Sequence, residues 1–510
     1  MTLVQAEPSL ALGLDCLSRL SAELLLRVTR DLTTTELCAV RSCSRTLECA
    51  LRDLFLREFF WRRQFMLTEF SLQTLLAIAQ HPLMSQSLRH VSIGVEEYVT
   101  TDCRPPDGEV QSVNLMLDTA RQKALLANGR ALQLLATAFS LLPNLQTVQL
   151  RDYPSRTRYR DGPSEAWSSY GLRSAREQLG SQADGLLTKN ASQNFSSRAF
   201  ALVMAALAQS DARPANIEVL IHSSVAGLTN LAFDLTPLPR LSLPGVSAGN
   251  GANADVLPIL AGLRRLHLKL QCVECLLPLY AWLAHCPNIR WLRLHLQTQV
   301  PNHNDVFLSQ LGSPLPAYYP FPTGSIASRD ITMPFASHLR RLELGFACCR
   351  RVVLQDLLGR FPALEDLSLY RFSLTYENSA AETAQDIWIK FLDALAKSPL
   401  GTRMKHMNLN RVSIADHSET RWQTQETHAI NFGDSQAVDY LAEIDKSMAT
   451  WLQGLSINVK QDKIDHITLD GFLMILSQRK IDSYSDCMSD DLNESETDDV
   501  EGGEEDESSL

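Results

Sequence analysis

Eight times between residues 88 and 469 the chain spells one short pattern: an apolar residue, a second three positions on, and a third two further. The copies are Leu88-Val91-Ile93, Leu145-Val148-Leu150, Leu263-Leu266-Leu268, Ile289-Leu292-Leu294, Leu339-Leu342-Leu344, Leu364-Leu367-Leu369, Met404-Met407-Leu409 and Ile464-Ile467-Leu469. The last two apolar residues of each copy flank a polar one, the alternation of a half-buried strand. An apolar helical stretch precedes most copies, as at 131–142, 199–208, 275–284, 352–358 and 387–395. Pro143, Pro287 and Pro362 then stand between helix and strand, where proline ends a helix and favours an extended entry. The spacing is 26 residues from 263 to 289 and 25 from 339 to 364. A helix that returns the chain to the start of the next strand makes neighbouring strands parallel. The expected class is therefore α/β with a parallel sheet.

Several details remain open at this level. The step of 50 residues from 289 to 339 holds either a hidden repeat or an insertion. Weaker candidates at 217–221 and 228–233 begin eleven residues apart, so at most one starts a full unit. Stretches 151–197, 297–335 and 415–447 are rich in Ser, Pro, Gly, Asn and Asp and read as long loops. This body, 61–482, resembles leucine-rich-repeat proteins. The Asn or Cys that family places after each strand is missing; Gln271, Gln297, Ala347, Phe372 and Val412 stand there instead. The resemblance thus implies a degenerate, irregular solenoid, with an ordinary α/β domain as the alternative.

Residues 14–60 carry a different pattern. Ser21 precedes a helix as N-cap, with Glu23 in its first turn and Leu24, Leu25, Val28 and Leu32 on one broad face. Thr33 to Glu36 has capping-box spacing, and a third helix from about Ser44 carries Leu47, Leu51, Leu54, Phe55 and Phe59 as an amphipathic stripe. The opening Leu17-Ser18-Arg19-Leu20-Ser21-Ala22-Glu23-Leu24-Leu25 resembles an F-box motif, with Ser21 where that family prefers proline. The resemblance implies a helical module that docks on a Skp-family adaptor of a cullin–RING ubiquitin ligase. Its adaptor-facing residues would be Leu17, Leu20, Ser21, Glu23 and Leu24, with Val28 and Leu47 shared between interface and core.

The net charge of −11 is local. Of 58 acidic residues twelve fall within 485–510, which leaves 46 against 47 basic ones elsewhere. The segment 483–510 is expected to be a disordered acidic tail, and 1–13 a flexible start. A near-neutral body argues against a general nucleic-acid binder. The longest apolar run, 275–284, is too short to span a bilayer, and the first fourteen residues lack a basic stretch and contain Glu7 and Pro8, so no secretory signal is expected there. Eleven scattered cysteines read as reduced core thiols, with a cytoplasmic or nuclear location expected.

Catalytic signatures are missing: the sequence contains no phosphate loop, no H-E-x-x-H and no G-x-S-x-G. Cys272 and Cys275, with His285 and Cys286 nearby, lack the second pair a zinc site needs, and core packing is the expected role of such thiols. The glycine-rich 245–251 follows Pro244 and reads as a linker. No cofactor and no enzymatic activity is expected. The F-box and repeat resemblances together imply a substrate-recognition subunit, joining a Skp-family adaptor and the cullin core to a protein substrate. The alternatives are a repeat scaffold whose first helices cap the array, and an enzyme with a site in a long loop. In the solenoid reading the residues between the buried leucines face the concave surface. The substrate contacts expected there are Arg265, His267, Lys269, Trp291, Arg293, His295, Arg341 and Tyr370, with Trp291 and Arg293 as an anchor pair. Arg265, Lys269, Arg293 and Arg341 form a basic stripe suited to an anionic peptide.

Overall fold

A computed structural model describes residues 17, 20–99, 109–157, 160–161, 166–179, 187–189, 194–222, 227–233, 256–271, 277–296, 301–312, 333–375, 384–401, 403–410, 413–415 and 456–458. The chain separates into one unit spanning 1–430 and 450–462 and a second spanning 431–449 and 463–510. Every described residue belongs to the first. Residues 1–13, the acidic segment 483–510, the glycine-rich 245–251, Cys272, Cys275, most of 415–447 and the motif beginning at Ile464 lie outside the described residues.

Ten strands form one sheet in which every neighbouring pair is parallel. They are β1 (Arg62–Met66), β2 (His90–Gly94), β3 (Thr147–Arg151), β4 (Asn216–Leu220), β5 (Arg265–Leu270), β6 (Trp291–Leu296), β7 (Arg341–Gly345), β8 (Asp366–Tyr370), β9 (His406–Asn410) and β10 (Ser456–Asn458). Each strand lies beside its predecessor in the chain, so the sheet grows in one direction. The fold is α/β, as the motif spacing predicts.

Register follows the motif. Leu266 pairs with Leu292, Leu292 with Leu342 and Leu342 with Leu367, and all four are buried. Each such side chain contributes roughly 1.5–3 kcal/mol of burial. The helices between the strands are α4 (Glu69–Gln80), α5 (Glu109–Ala127), α6 (Arg130–Ser140), α7 (Phe195–Ser210), α8 (Leu257–Gly262), α9 (Leu277–Ala284), α10 (Pro301–Gln310), α11 (Arg351–Gly359) and α12 (Ala384–Lys397). They pack side by side in chain order: α4 on α6, α6 on α7, α10 on α11, α11 on α12. Their buried faces, such as Leu134, Leu135 and Phe139 of α6, complete the core against the leucine side of the sheet. Among the described residues no helix is long and apolar enough to cross a membrane.

Two loop expectations need correction, and two points left open by the sequence are decided. Stretch 151–197 is not simply a loop: it holds a helix at Leu172–Leu179 and strands at Ser155–Thr157, Ala166–Trp167 and Leu187–Lys189. Stretch 297–335 holds α10, yet β6 pairs directly with β7, so the 50-residue step is an insertion and adds no strand to the sheet. β1 carries no leucine motif, and β4 comes from the weaker 217–221 candidate while 230–233 is a single 3-10 turn.

The amino-terminal helices are α1 (Ala22–Thr29), α2 (Thr34–Cys43) and α3 (Arg45–Phe60). Their caps are those the sequence predicts. Ser21 Oγ accepts from Leu24 N at 3.4 Å, Thr33 and Glu36 form a reciprocal capping box, and Ser44 Oγ accepts from Leu47 N at 3.1 Å. Leu25, Leu37, Leu47, Leu51 and Phe59 make a small separate core.

That core is fastened from outside. Arg160, its side chain only 7% exposed, donates from Nε to Glu58 at 2.5 Å. Its Nη1 reaches the carbonyls of Thr29, Arg30 and Leu32, at the end of α1 where carbonyls have no helical partner. The neighbouring Asp161 accepts from Thr34 N at 2.8 Å and Thr34 Oγ1 at 2.6 Å, at the start of α2. Trp167 meets Phe59 edge-on with 5.6 Å between ring centroids. Replacing Arg160 by Ala removes the pair to Glu58 and the bonds to three carbonyls, of which Thr29 keeps Leu32 N, and is expected to cost about 1–3 kcal/mol. Limited proteolysis should then cut first within 22–60, with the sheet still protected; unchanged cleavage there would contradict the clamp.

Candidate binding surfaces

Helix α1 turns Leu25 and Thr29 into the module's core and leaves an apolar side outside. Leu24 is 49% exposed and Val28 51% exposed, and at i, i+4 they stand one above the other. Leu26 is exposed on another side of the same helix. Ser21 and Glu23 are exposed as well. Leu17 and Leu20 are half-buried against the helical core. Leu47 is a correction: it is buried in that core, so it has no surface to share with a partner, whereas Val28 is half-exposed. The broad face expected of Leu24, Leu25 and Val28 splits because a two-turn helix pressed on α3 can bury only one narrow stripe.

The second surface is the sheet's polar side. Its middle row runs strand to strand: Gln64 pairs with Ser92, Ser92 with Gln149 and Gln149 with Glu218. It continues from Glu218 through His267, Arg293 and Glu343 to Ser368. The row is hydrogen-bonded sideways. Ser92 Oγ donates to Gln149 at 2.8 Å, and the Gln149 amide donates to Glu218.

Trp291 sits in the adjacent row, with Arg265 on one flanking strand and Arg341 on the other. Their guanidinium carbons lie 3.5 Å and 3.9 Å from the indole centroid. Each guanidinium is also tied at its edge: Arg265 Nη1 to Glu218 at 3.1 Å, and Arg341 Nε to Glu343 at 2.6 Å. Arg293 Nε donates to the other oxygen of Glu343 at 2.6 Å. Burial alone would raise the Glu343 carboxyl; Arg293 and Arg341 more than offset this and hold it below its usual range. The expected anchor pair is therefore rearranged. Trp291 stacks with Arg265 and Arg341, and Arg293 belongs to Glu343.

His267 and Lys269 are further corrections to the expected contact set, since both are buried. Burial, helped by Arg293 and Arg265, pushes the His267 imidazole well below its ordinary range. Burial lowers Lys269 to about 8; its ammonium points toward the His222 carbonyl at 3.5 Å. The stripe loses Lys269 because its end of β5 lies against the chain that follows β4: the ammonium meets the His222 carbonyl and Leu228 N donates to the Lys269 carbonyl.

His295 and Tyr370 join a third group. His295, Phe346 and Tyr370 pack their rings at 5.3–6.4 Å, with the Arg371 guanidinium 5.4 Å from Phe346 and 5.7 Å from Tyr370. Phe346 (φ 52°) and Arg371 (φ 45°) follow β7 and β8 in the left-handed region, a strained conformation for such residues that clusters at functional positions. Gly345 is required beside them, because a Cβ there would come within 2.7 Å of His295 Cδ2. Sequence reasoning missed Arg160, Asp161, Phe346 and Arg371. None lies in the repeating motif, and only the two left-handed turns reveal the last pair.

No protein-family model and no curated protein matches the chain. Function therefore has to be argued from these two surfaces. Among the described residues no three His, Cys, Asp or Glu side chains converge as metal ligands. Cys286, Cys348 and Cys349 are buried thiols, and burial pushes Cys348 up to about 12, so they are protonated packing groups rather than nucleophiles.

Three imidazoles on the sheet are held below the ordinary 6.5: His267, His295 at about 3 and His90 at about 4, each chiefly by burial. The unfolded chain then binds more protons than the folded one below 6.5, so stability is full above that pH and is lost as pH falls toward 4. Urea midpoints between pH 4 and 8 should show this slope, and His267→Leu should make it shallower. An unaltered slope in that variant would contradict the neutral, buried assignment.

Proposed function

We propose that the chain is the substrate-receptor subunit of an SCF-type ubiquitin ligase. The helical module binds a Skp-family adaptor, and the polar side of the sheet binds the protein to be ubiquitinated. The cullin, RING and conjugating components supply the chemistry, and this chain supplies position.

The observation that carries this reading is the exposed Leu24 and Val28 pair on α1. Large apolar side chains at helical spacing on an otherwise capped and charged helix fit a helix-packing partner better than solvent. The fastening at Arg160 and Asp161 supports it further. A ligase receptor must hold its substrate at a fixed place relative to the adaptor, and a freely swinging module would not.

Co-expression with a Skp-family adaptor should yield a stable complex on gel filtration. Leu24→Glu with Val28→Glu removes two apolar anchors, and should weaken binding by about a hundredfold or more. Because both residues are exposed, the variant should fold with an unchanged circular-dichroism melt. Undiminished binding by this folded variant would refute the docking face.

A further inference from the structure

We propose that the substrate contact is an extended acidic peptide segment, recognised by its carboxylates at the Arg265–Trp291–Arg341 stack. This deepens the receptor reading and rests on it. The stack is a built feature: three strands present the three side chains in one register row. Stacking uses the faces of the indole and of the guanidiniums. It leaves recognition to the in-plane N–H groups of arginine, whose fork geometry suits a carboxylate.

Charge also selects the ligand. Glu218 and Glu343 are buried at the floor, while the arginines they orient reach further out; the Arg265 side chain is 31% exposed and that of Arg341 16%. Arg293 and the exposed Arg371 add two more cations on the same side, against the half-buried Asp366. Four arginines thus face three acids on this side, one cation in excess, and Glu218 and Glu343 hold in place guanidiniums that would otherwise lose entropy on binding. Such pre-ordering raises affinity for an anion by removing part of its cost.

Spacing sets the register of the ligand. The Arg265 and Arg341 guanidinium carbons lie 3.5 Å and 3.9 Å from the same indole centroid, so about 7 Å at most separates them. An extended peptide crossing the strands advances about 3.3 Å per residue. Acidic residues two apart, which share one side of an extended chain, would thus meet the two arginines, with the backbone of the single intervening residue over Trp291.

The test uses the full chain with its adaptor and fluorescent peptides of about twelve residues. One carries Glu at every second position, a second has Gln in those places, and a third has phosphoserine. The Glu peptide should bind at least tenfold more tightly than the Gln peptide, and the gap should narrow as salt rises. Trp291→Ala, and separately Arg265→Gln with Arg341→Gln, should each lose most of that preference. Trp291→Phe keeps a ring and should retain part of it, which separates loss of the stack from loss of folding. Arg173→Gln, a charge removed from an exposed distant helix, should change nothing. Equal binding of Glu and Gln peptides, or full preference in folded Trp291→Ala, would overturn the proposal. Preference for phosphoserine alone would overturn the carboxylate assignment. Adaptor binding is read in the same samples, so a chain that takes the peptide but not the adaptor refutes the ligase reading and leaves the peptide site standing.

Discussion

The constraint on which everything else depends is the two-residue period of the strands. In each motif strand from β2 to β9 an apolar residue must face the helices and its neighbours must face away. Slipping one strand by a single residue would bury Arg293 or Glu343 against leucines and expose the leucines themselves. Parallel pairing then transmits that choice, since Leu266, Leu292, Leu342 and Leu367 share one row and the polar residues between them share another. The polar face is thus a by-product of building the core. Once the leucines are placed, the sequence is free to write any polar residues on the other side.

What it wrote is not a uniform basic strip. The middle row buries acids between cations, so these charges largely offset one another before any partner arrives. Buried ion pairs of this kind are weak evidence for stability, because desolvation offsets much of the attraction. Their evident effect is geometric. Glu343 draws Arg293 and Arg341 to itself from the two sides, and with Arg341 stacked on Trp291 the group has little freedom to rearrange.

Sheet and helices were legible in the sequence because period and proline placement are local signals. Strands β2, β3 and β5–β9 fall on the motif, and the five expected helices, α6, α7, α9, α11 and α12, start and stop near the expected residues, whereas α4, α5, α8 and α10 were not expected. β1 was not legible, since Arg62–Met66 pairs with β2 through its backbone and carries no leucine pattern to announce it. Nor was the clamp: Arg160 lies more than a hundred residues from Thr29 and Glu58, and nothing in the sequence joins them. On the candidate surfaces the sequence identified which residues share a face but not which of them sink. His267 and Lys269 differ from Arg265 only in depth, and depth depends on neighbours from other strands.

The account assigns adaptor and substrate to separate surfaces, with the Arg160 clamp between module and sheet. Hydrogen exchange of the full chain, with and without a Skp-family adaptor, tests that division directly. Opening free energies are local, so protection reports where the partner sits. The account predicts slower exchange in residues 20–30 and in the facing parts of α2 and α3, with β5 to β8 unchanged. Protection centred on β5 to β8, or none in the helical module, would contradict it.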